Sequence, residues 1–118
     1  MKVLSLFDGI SCGMLALQRA GIPVECYDAF EIDKYAVTVS KRNFPVIVHH
    51  GNVYDGDFTQ FKGYDLLLGG SPCTYWSIAK KDRESDCDGE GFRLFQEYVR
   101  ALEESGCQYF LYENNYSV

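Results

Sequence analysis

The sequence predicts an α/β domain built on a parallel β-sheet, and three observations lead to this fold class. Short apolar runs alternate with segments of helical character, each run ends at small or polar residues, and 118 residues make one domain. Strands joined through helices run parallel, with right-handed crossovers. A hydrophobic fraction of 47% and a charged fraction of 24% exclude a disordered, collagen-like or coiled-coil chain.

Five strands and three helices follow from these patterns. Buried strands are expected where apolar runs stop at turn residues, at residues 3–7, 24–31, 46–49, 64–68 and 109–112. Helices are expected at residues 14–20, 33–43 and 91–105. Ser11 and Asp33 are predicted N-caps, and Gly21, Pro45 and Gly106 mark the helix ends. Residues 52–63 are predicted to form a loop with a short helix, and residues 71–90 a long polar loop.

Small, polar or reactive residues follow every predicted strand. They are Asp8 and Gly9, residues 31–33, Gly51 and Asn52, residues 70–73, and Glu113 and Asn114. In open parallel sheets, ligands bind beyond the carboxyl ends of the strands. The sequence therefore predicts a ligand site at this edge of the sheet.

Charge and cysteine usage limit the classes of function. Eleven Lys and Arg against 17 Asp and Glu give a net charge of −6, which argues against a self-contained nucleic-acid binder, because such proteins carry a basic surface. Five widely spaced cysteines without a C-x-x-C pair argue against a disulfide framework and a zinc site, and favour a reducing, cytoplasmic compartment. The N-terminal apolar run is too short for a signal peptide or a membrane span.

Two features indicate a cofactor that contains a nucleoside. The turn from Phe7 to Gly13 joins a strand to a helix, where glycines allow close approach of a ligand and the helix N-terminus offers free N–H groups. Its F-x-G-x-x-x-G spacing resembles the turn of S-adenosylmethionine-dependent methyltransferases, although a tight turn without a ligand is the alternative. Glu31 ends the second strand, where a carboxylate can accept both hydroxyl protons of a ribose, whereas Asp33 suits a helix cap.

A reactive thiol is indicated after the fourth strand. Pro72 fixes the backbone immediately before Cys73, and a thiol held there could act as a nucleophile. A buried structural cysteine is the alternative. Glu113 follows the fifth strand and lies near Cys73 if strands four and five are neighbours. A thiol beside a carboxylic acid suggests covalent attack on an electrophile that is protonated as it is attacked, the alternative being a solvated strand-terminal acid.

Six stretches in order resemble the DNA (cytosine-5)-methyltransferases, in a variant close to phage-encoded and mammalian de novo enzymes. They are VLSLFDGISCGMLAL, FEID, GNV, DLLLGGSPC, GEGFRLFQEYVRAL and YFLYENN, and they cover essentially the whole chain. The resemblance implies a Rossmann-like methyltransferase fold with helices on both faces of the sheet. It also implies methyl transfer from S-adenosylmethionine to C5 of a cytosine flipped out of double-stranded DNA, with no metal and no membrane involved.

The resemblance implies a role for individual residues. Cys73 would add to C6 of cytosine, and Glu113 would contact its N3 and amino group. Asn52 stands where the family usually has Asp facing the adenine amino group, so weaker binding is expected. A loop over residues 74–90, containing Lys80, Lys81 and Arg83, would close over the base. The remaining cofactor-binding residues would be Phe7, Asp8 and Gly9 at the methionine part and adenine face, Glu31 at the ribose, Ile32 on the adenine, and Gly70.

The family pattern continues beyond Glu113 and Asn114 with an arginine motif, a target recognition domain and a helix that completes the cofactor pocket. Residues 1–118 are therefore expected to be the N-terminal part of a catalytic domain, inactive alone and prone to self-association through an open strand at residues 109–112. Asn115 departs from the family's valine. One alternative is a catalytically silent cofactor-fold module that works only with a partner chain. The other is a methyltransferase of a different substrate class, or a redox-active thiol protein.

Overall fold

A computed structural model describes residues 1–72 and 89–114 as an α/β structure with a parallel sheet. Its elements are β1 (Lys2–Leu6), α1 (Cys12–Arg19), β2 (Cys26–Phe30), α2 (Lys34–Asn43), β3 (Val48–His49), single 3₁₀ turns at Val53–Asp55 and Phe58–Phe61, β4 (Leu66–Gly69), α3 (Glu90–Ser105) and β5 (Tyr109–Tyr112). The strand order is β3-β2-β1-β4-β5, with every pair parallel. The predicted fold class is confirmed, and β4 and β5 are neighbours.

Helices cover both faces of the sheet. Successive side chains of a strand point to opposite faces, so neighbouring residues of β1 pack against different helices. Leu4 of β1 packs in one apolar cluster with Tyr98 of α3. Val3 packs in a second cluster with Met14 and Leu17 of α1. The central strand β1 is therefore buried on both sides, which explains why residues 3–6 are apolar apart from Ser5 and show no alternation of apolar and polar side chains.

Asp33 and Gly106 mark the ends of their helices as predicted, whereas Ser11 caps α1 without the expected side-chain hydrogen bond. Asp33 caps α2, since its carboxylate accepts from the backbone N–H groups of Tyr35 and Ala36 at 2.9 and 3.4 Å. Gly106 ends α3 with φ of 65°. Ser11 occupies the N-cap position of α1, but its side chain makes no capping hydrogen bond. Its φ is 71°, and its hydroxyl bonds to the Asp8 carboxylate instead.

The two edges of the sheet are unequal. The β3 edge is two residues long, whereas the β5 edge has four residues, of which Tyr109, Phe110 and Leu111 are 56%, 60% and 58% exposed. Neither Lys nor Pro interrupts β5, although natural edge strands commonly carry such residues to prevent pairing with another chain. In residues 1–72 and 89–114, β5 thus forms a sheet edge with exposed apolar side chains.

Three described cysteines carry free thiols, and within the described residues there is neither a helix that could span a membrane nor a cluster of metal ligands. Cys12, Cys26 and Cys107 are free, and burial raises the pKa of the Cys107 thiol. Across residues 1–72 and 89–114, no helix has the length and apolar character needed to cross a bilayer. In the same ranges no three His, Cys, Asp or Glu side chains group as a metal site.

Candidate active site

A cavity of about 250 Å³ opens at the carboxyl ends of β1, β2 and β3. Four residues of the sequence-based cofactor hypothesis line it, namely Phe7, Glu31, Ile32 and Asn52. Gly51 and Pro72, which belong to the predicted segments after the third and fourth strands, also line it. Sequence reasoning missed the other lining residues, which are Phe30, Val53, Tyr54, Glu90 and Leu94. Most of them lie in the six stretches that carry the family resemblance, so they could have been predicted from their positions in those stretches.

Glu31 is the fixed polar group of the cavity. One carboxylate oxygen accepts from the backbone N–H of Gly9 at 2.8 Å, and the other accepts from that of Asp33 at 2.9 Å. A carboxylate oxygen has two lone pairs, so each oxygen can accept a further bond. Glu31 is thus oriented by the backbone of two loops and can receive two hydroxyl donors from a ligand.

The turn after β1 holds left-handed backbone at Phe7 and Ser11, with φ of 56° and 71°, as well as at Gly9. Phe7 lines the cavity, whereas Asp8 and Gly9 do not. The Asp8 carboxylate lies beneath the turn and accepts from the hydroxyls of Ser5 and Tyr27, both at 2.6 Å, and from that of Ser11. Burial, and next the Asp8 charge, raise the pKa of Tyr27. Gly9 supplies its N–H to Glu31.

One side wall of the cavity is a hydrogen-bonded chain. The Asn52 amide oxygen accepts from the backbone N–H of Tyr54 at 3.0 Å, which caps the 3₁₀ turn after β3. The Tyr54 hydroxyl donates to Glu90 in the first turn of α3 at 2.8 Å. Burial, and next the bond to Glu90, raise the pKa of Tyr54 to about 12. This wall therefore joins two segments that are distant in sequence.

The ends of β4 and β5 meet at Gly70 and Glu113. The Glu113 N–H donates to the Gly69 carbonyl at 2.9 Å. A Cβ on Gly70 would lie 2.0 Å from the Glu113 carbonyl oxygen, so a residue without a side chain is required there. Neither Gly70 nor Glu113 lines the cavity. Gly70 thus allows the backbone carrying Glu113 to approach the turn after β4.

A side-chain clasp, formed by Ser71, Tyr112 and Asn114, fastens this junction. The buried Ser71 hydroxyl lies 2.6 Å from the Tyr112 hydroxyl. The Asn114 amide donates to the carbonyl and hydroxyl of Ser71, both at 3.2 Å, and to the Tyr112 hydroxyl at 3.0 Å. The clasp fixes the residue before Pro72 against the residues on either side of Glu113. Cys73, residues 74–88 of the segment predicted to close over the base, and Asn115 lie outside the described residues.

Comparison with protein families shows which family the chain belongs to. The model of the C-5 cytosine-specific DNA methylases matches residues 1–117. The chain belongs to this family. It is 37% identical over 116 residues to the orphan methyltransferase M.SPRI of Bacillus phage SPR, covering 97% of this chain and 26% of that protein. It is 34% identical to the type II methyltransferase M.HgiCII of Herpetosiphon aurantiacus, covering 96% and 25% respectively. The chain thus spans about a quarter of the length of these relatives.

Solved structures agree with this assignment. A crystal structure of a Spodoptera frugiperda DNMT2 mutant is similar with a TM-score of 0.73 at 25% identity, over 96% of this chain and 35% of that chain. The S. pombe Dnmt2 methyltransferase gives a TM-score of 0.70 at 22% identity, over 97% and 36%, which concerns the fold alone. The family resemblance and the Rossmann-like methyltransferase fold predicted from the sequence are confirmed.

Proposed function

We propose that this chain forms part of a DNA (cytosine-5)-methyltransferase, which transfers a methyl group from S-adenosylmethionine to C5 of cytosine through a covalent Cys73 adduct. The observation that carries the proposal is the cavity beyond β1–β3, in which two backbone N–H groups orient the Glu31 carboxylate, in a chain of the C-5 cytosine-specific DNA methylases. S-adenosylmethionine supplies the methyl group as an electrophilic sulfonium.

The cavity has the chemical features that a nucleoside cofactor needs. Glu31 can accept the two ribose hydroxyls, as carboxylates at this strand end do in dinucleotide-binding folds. Phe7 and Ile32 provide apolar surface for the adenine. Asn52 uses one lone pair of its amide oxygen for Tyr54, and its second lone pair can accept from the adenine amino group. Gly9 contributes to this proposed site through its backbone N–H, which holds the Glu31 carboxylate.

The chemistry assigns complementary steps to Cys73 and Glu113. The Cys73 thiolate forms a bond to C6 of cytosine while Glu113 donates a proton to N3, which makes C5 a nucleophile toward the methyl group. Methyl transfer to C5 would break the sulfonium S–CH3 bond and leave S-adenosylhomocysteine. Loss of the C5 proton to water then restores the C5–C6 double bond and expels the Cys73 thiolate, while the Glu113 carboxylate takes back the N3 proton. C6 and C5 are inaccessible to these groups in a stacked duplex, so the substrate is a cytosine flipped out of double-stranded DNA. The clasp supports this scheme, because it holds the Glu113 segment against the residue before Pro72.

The proposal extends to partners and location. We assign the exposed β5 edge to pairing with a second copy of this chain, because its backbone is hydrogen-bonded on one side and three consecutive apolar side chains are more than half exposed. We assign the proposed activity to the cytoplasm of a bacterial or phage-infected cell, and the origin of similar proteins in Bacillus phages and Herpetosiphon supports this assignment.

A second candidate is a cofactor-binding module that is catalytically silent unless a partner chain joins it. The cavity is lined by Glu31 and Asn52 but not by Glu113, and a cofactor pocket that stands apart from the proposed acid favours this candidate. The two candidates share the cofactor and differ in whether Cys73 forms a covalent adduct once the remaining part of a methyltransferase is supplied.

The test combines cofactor binding with trapping of the adduct. Titration calorimetry of the chain with S-adenosylhomocysteine should give heat. The chain is then mixed with S-adenosylmethionine and a duplex containing 5-fluorocytosine, alone and with the remaining part of the Bacillus phage SPR relative. A protein–DNA adduct should form with Cys12→Ser and be absent with Cys73→Ser, Cys12 being a thiol at the start of α1. An adduct that persists in Cys73→Ser, or no heat in either assembly, overturns the proposal. Heat with no adduct in either assembly supports the silent module.

A further inference from the structure

We propose that Asp8 is a positioning residue, which holds the turn after β1 from beneath and sets the place of Phe7 and Gly9 in the cavity. We call Ser5, Asp8, Ser11, Tyr27 and Ser40 the Asp8 network. The inference rests on the proposed function in one respect, namely that the ligand of the cavity is S-adenosylmethionine or its product. It differs from the role that the sequence resemblance implies, in which Asp8 touches the cofactor itself.

The first evidence is the direction of the Asp8 carboxylate. Three hydroxyls donate to it, from Ser5 and Tyr27 at 2.6 Å and from Ser11. Their residues are buried, with exposures of 3% for Ser5, 1% for Tyr27 and none for Ser11. An ionised carboxylate offers about four acceptor positions, so three internal donors use most of its capacity. The group is therefore directed to the interior of the fold.

The second evidence is the backbone that the network supports. Phe7 and Ser11, on either side of Asp8, adopt the left-handed region, which side chains other than glycine seldom occupy. Such a conformation persists only where surrounding contacts determine it. The bonds from Ser11 and Tyr27 to Asp8 provide those contacts. With the turn held in this way, Phe7 lines the cavity and the Gly9 N–H reaches Glu31.

Gly13 supplies an independent observation. A Cβ at Gly13 would lie 2.8 Å from the Tyr27 hydroxyl oxygen and 3.0 Å from Leu68 Cδ1. Gly13 is absent from the lining of the cavity. The second glycine of the turn therefore leaves room for the Tyr27 hydroxyl to reach Asp8, and its place in the motif follows from the network.

The network also reaches α2. The Ser40 hydroxyl, which is fully buried, lies 2.5 Å from the Ser11 hydroxyl. The N-cap of the same helix, Asp33, donates its backbone N–H to Glu31. The turn after β1 is thus connected to α2 at two places, through Glu31 and through the Ser11–Ser40 hydroxyl contact. A displacement of the Asp8 network would shift the carboxylate that is proposed to bind the ribose.

The test removes single hydroxyls and compares two buried tyrosines. Tyr27→Phe deletes a bond to Asp8, and the control Tyr98→Phe deletes hydrogen bonds to the carbonyls of Leu67 and Leu111 in the sheet. We measure the Kd for S-adenosylhomocysteine by calorimetry and the ¹H–¹⁵N resonance of the Gly9 amide. Tyr27→Phe should raise the Kd about tenfold, since the lost bond is to a charged group, and should move the Gly9 resonance. Tyr98→Phe should leave the Kd within about twofold and the Gly9 resonance in place.

Two further variants, Ser11→Ala and Asp8→Asn, test the positioning role independently of Tyr27→Phe. Ser11→Ala should reproduce Tyr27→Phe if the latter folds poorly. Asp8→Asn should weaken binding and move the amide resonance of Asp33, whose N–H donates to Glu31, whereas a direct ligand contact predicts weaker binding with the Asp33 resonance unchanged. The proposal is wrong if Tyr27→Phe and Ser11→Ala both fold and retain the wild-type Kd and Gly9 resonance. If the wild-type chain binds no S-adenosylhomocysteine, the cofactor proposal fails, and the Gly9 resonance still decides whether the network positions the turn.

Discussion

Replacing Gly70 by alanine should separate the ends of β4 and β5. The added Cβ would lie 2.0 Å from the Glu113 carbonyl oxygen and 3.0 Å from its carbonyl carbon, both backbone atoms that cannot rotate away. Relief of that contact requires the two strand ends to move apart by about 1 Å, in the range where overpacking costs about 1–3 kcal/mol. The hydrogen bond from the Glu113 N–H to Gly69 would weaken as well, adding about 0.5–1.5 kcal/mol. We expect Gly70→Ala to lower the free energy of unfolding by about 2–4 kcal/mol.

The measurement is urea denaturation followed by far-ultraviolet circular dichroism, with Gly106→Ala as the matched control. Gly106 has open space around the position of a Cβ and a φ of 65°, so alanine there meets backbone strain without a clash. That strain costs about 1–2 kcal/mol. The steric explanation for Gly70 is refuted if Gly70→Ala destabilises the chain no more than Gly106→Ala, with equal slopes of free energy against urea concentration.

Four further outcomes follow from the site and its surroundings. Glu31→Gln should weaken S-adenosylhomocysteine binding by about tenfold or more in calorimetry, because an amide nitrogen would face one of two backbone N–H donors; an unchanged Kd would contradict the assigned role. Asn114→Ala should lower the free energy of unfolding by about 1–2 kcal/mol in urea, through loss of the donor that joins both ends of the clasp; wild-type stability would speak against it. The pKa of Tyr54 is raised from 10.0 to about 12, so its stabilising contribution is complete below about pH 10 and is lost as the pH rises through 12; Tyr54→Phe should flatten the loss of stability across that interval, and an identical alkaline profile would refute this. Leu111→Lys should abolish self-association in sedimentation velocity, while Val48→Lys on the short β3 edge should not; a dimer that persists in Leu111→Lys would rule out pairing through β5.

Local patterns were sufficient for much of the fold. Asp33 could be predicted as a helix cap because its partners lie two and three residues away, and Glu31 could be placed in the site because it ends a strand. The direction of the Asp8 carboxylate could not be predicted, because its partner Tyr27 is 19 residues away and reaches it only through the pairing of β1 with β2. The Tyr54–Glu90 bond spans 36 residues and depends likewise on tertiary packing.

The position of the strands in the sheet gives the two halves of the site different local stabilities. β1 is paired on both sides and buried, whereas β5 has one strand neighbour within the described part of the chain, so amide hydrogens should exchange sooner in β5 than in β1. Glu113 follows an edge strand, while Phe7 follows the central strand of the sheet. Detachment of β5 would therefore remove the proposed proton donor while the turn after β1 and Glu31 stay folded. Such a form would keep the proposed cofactor pocket while the proposed acid is displaced from it.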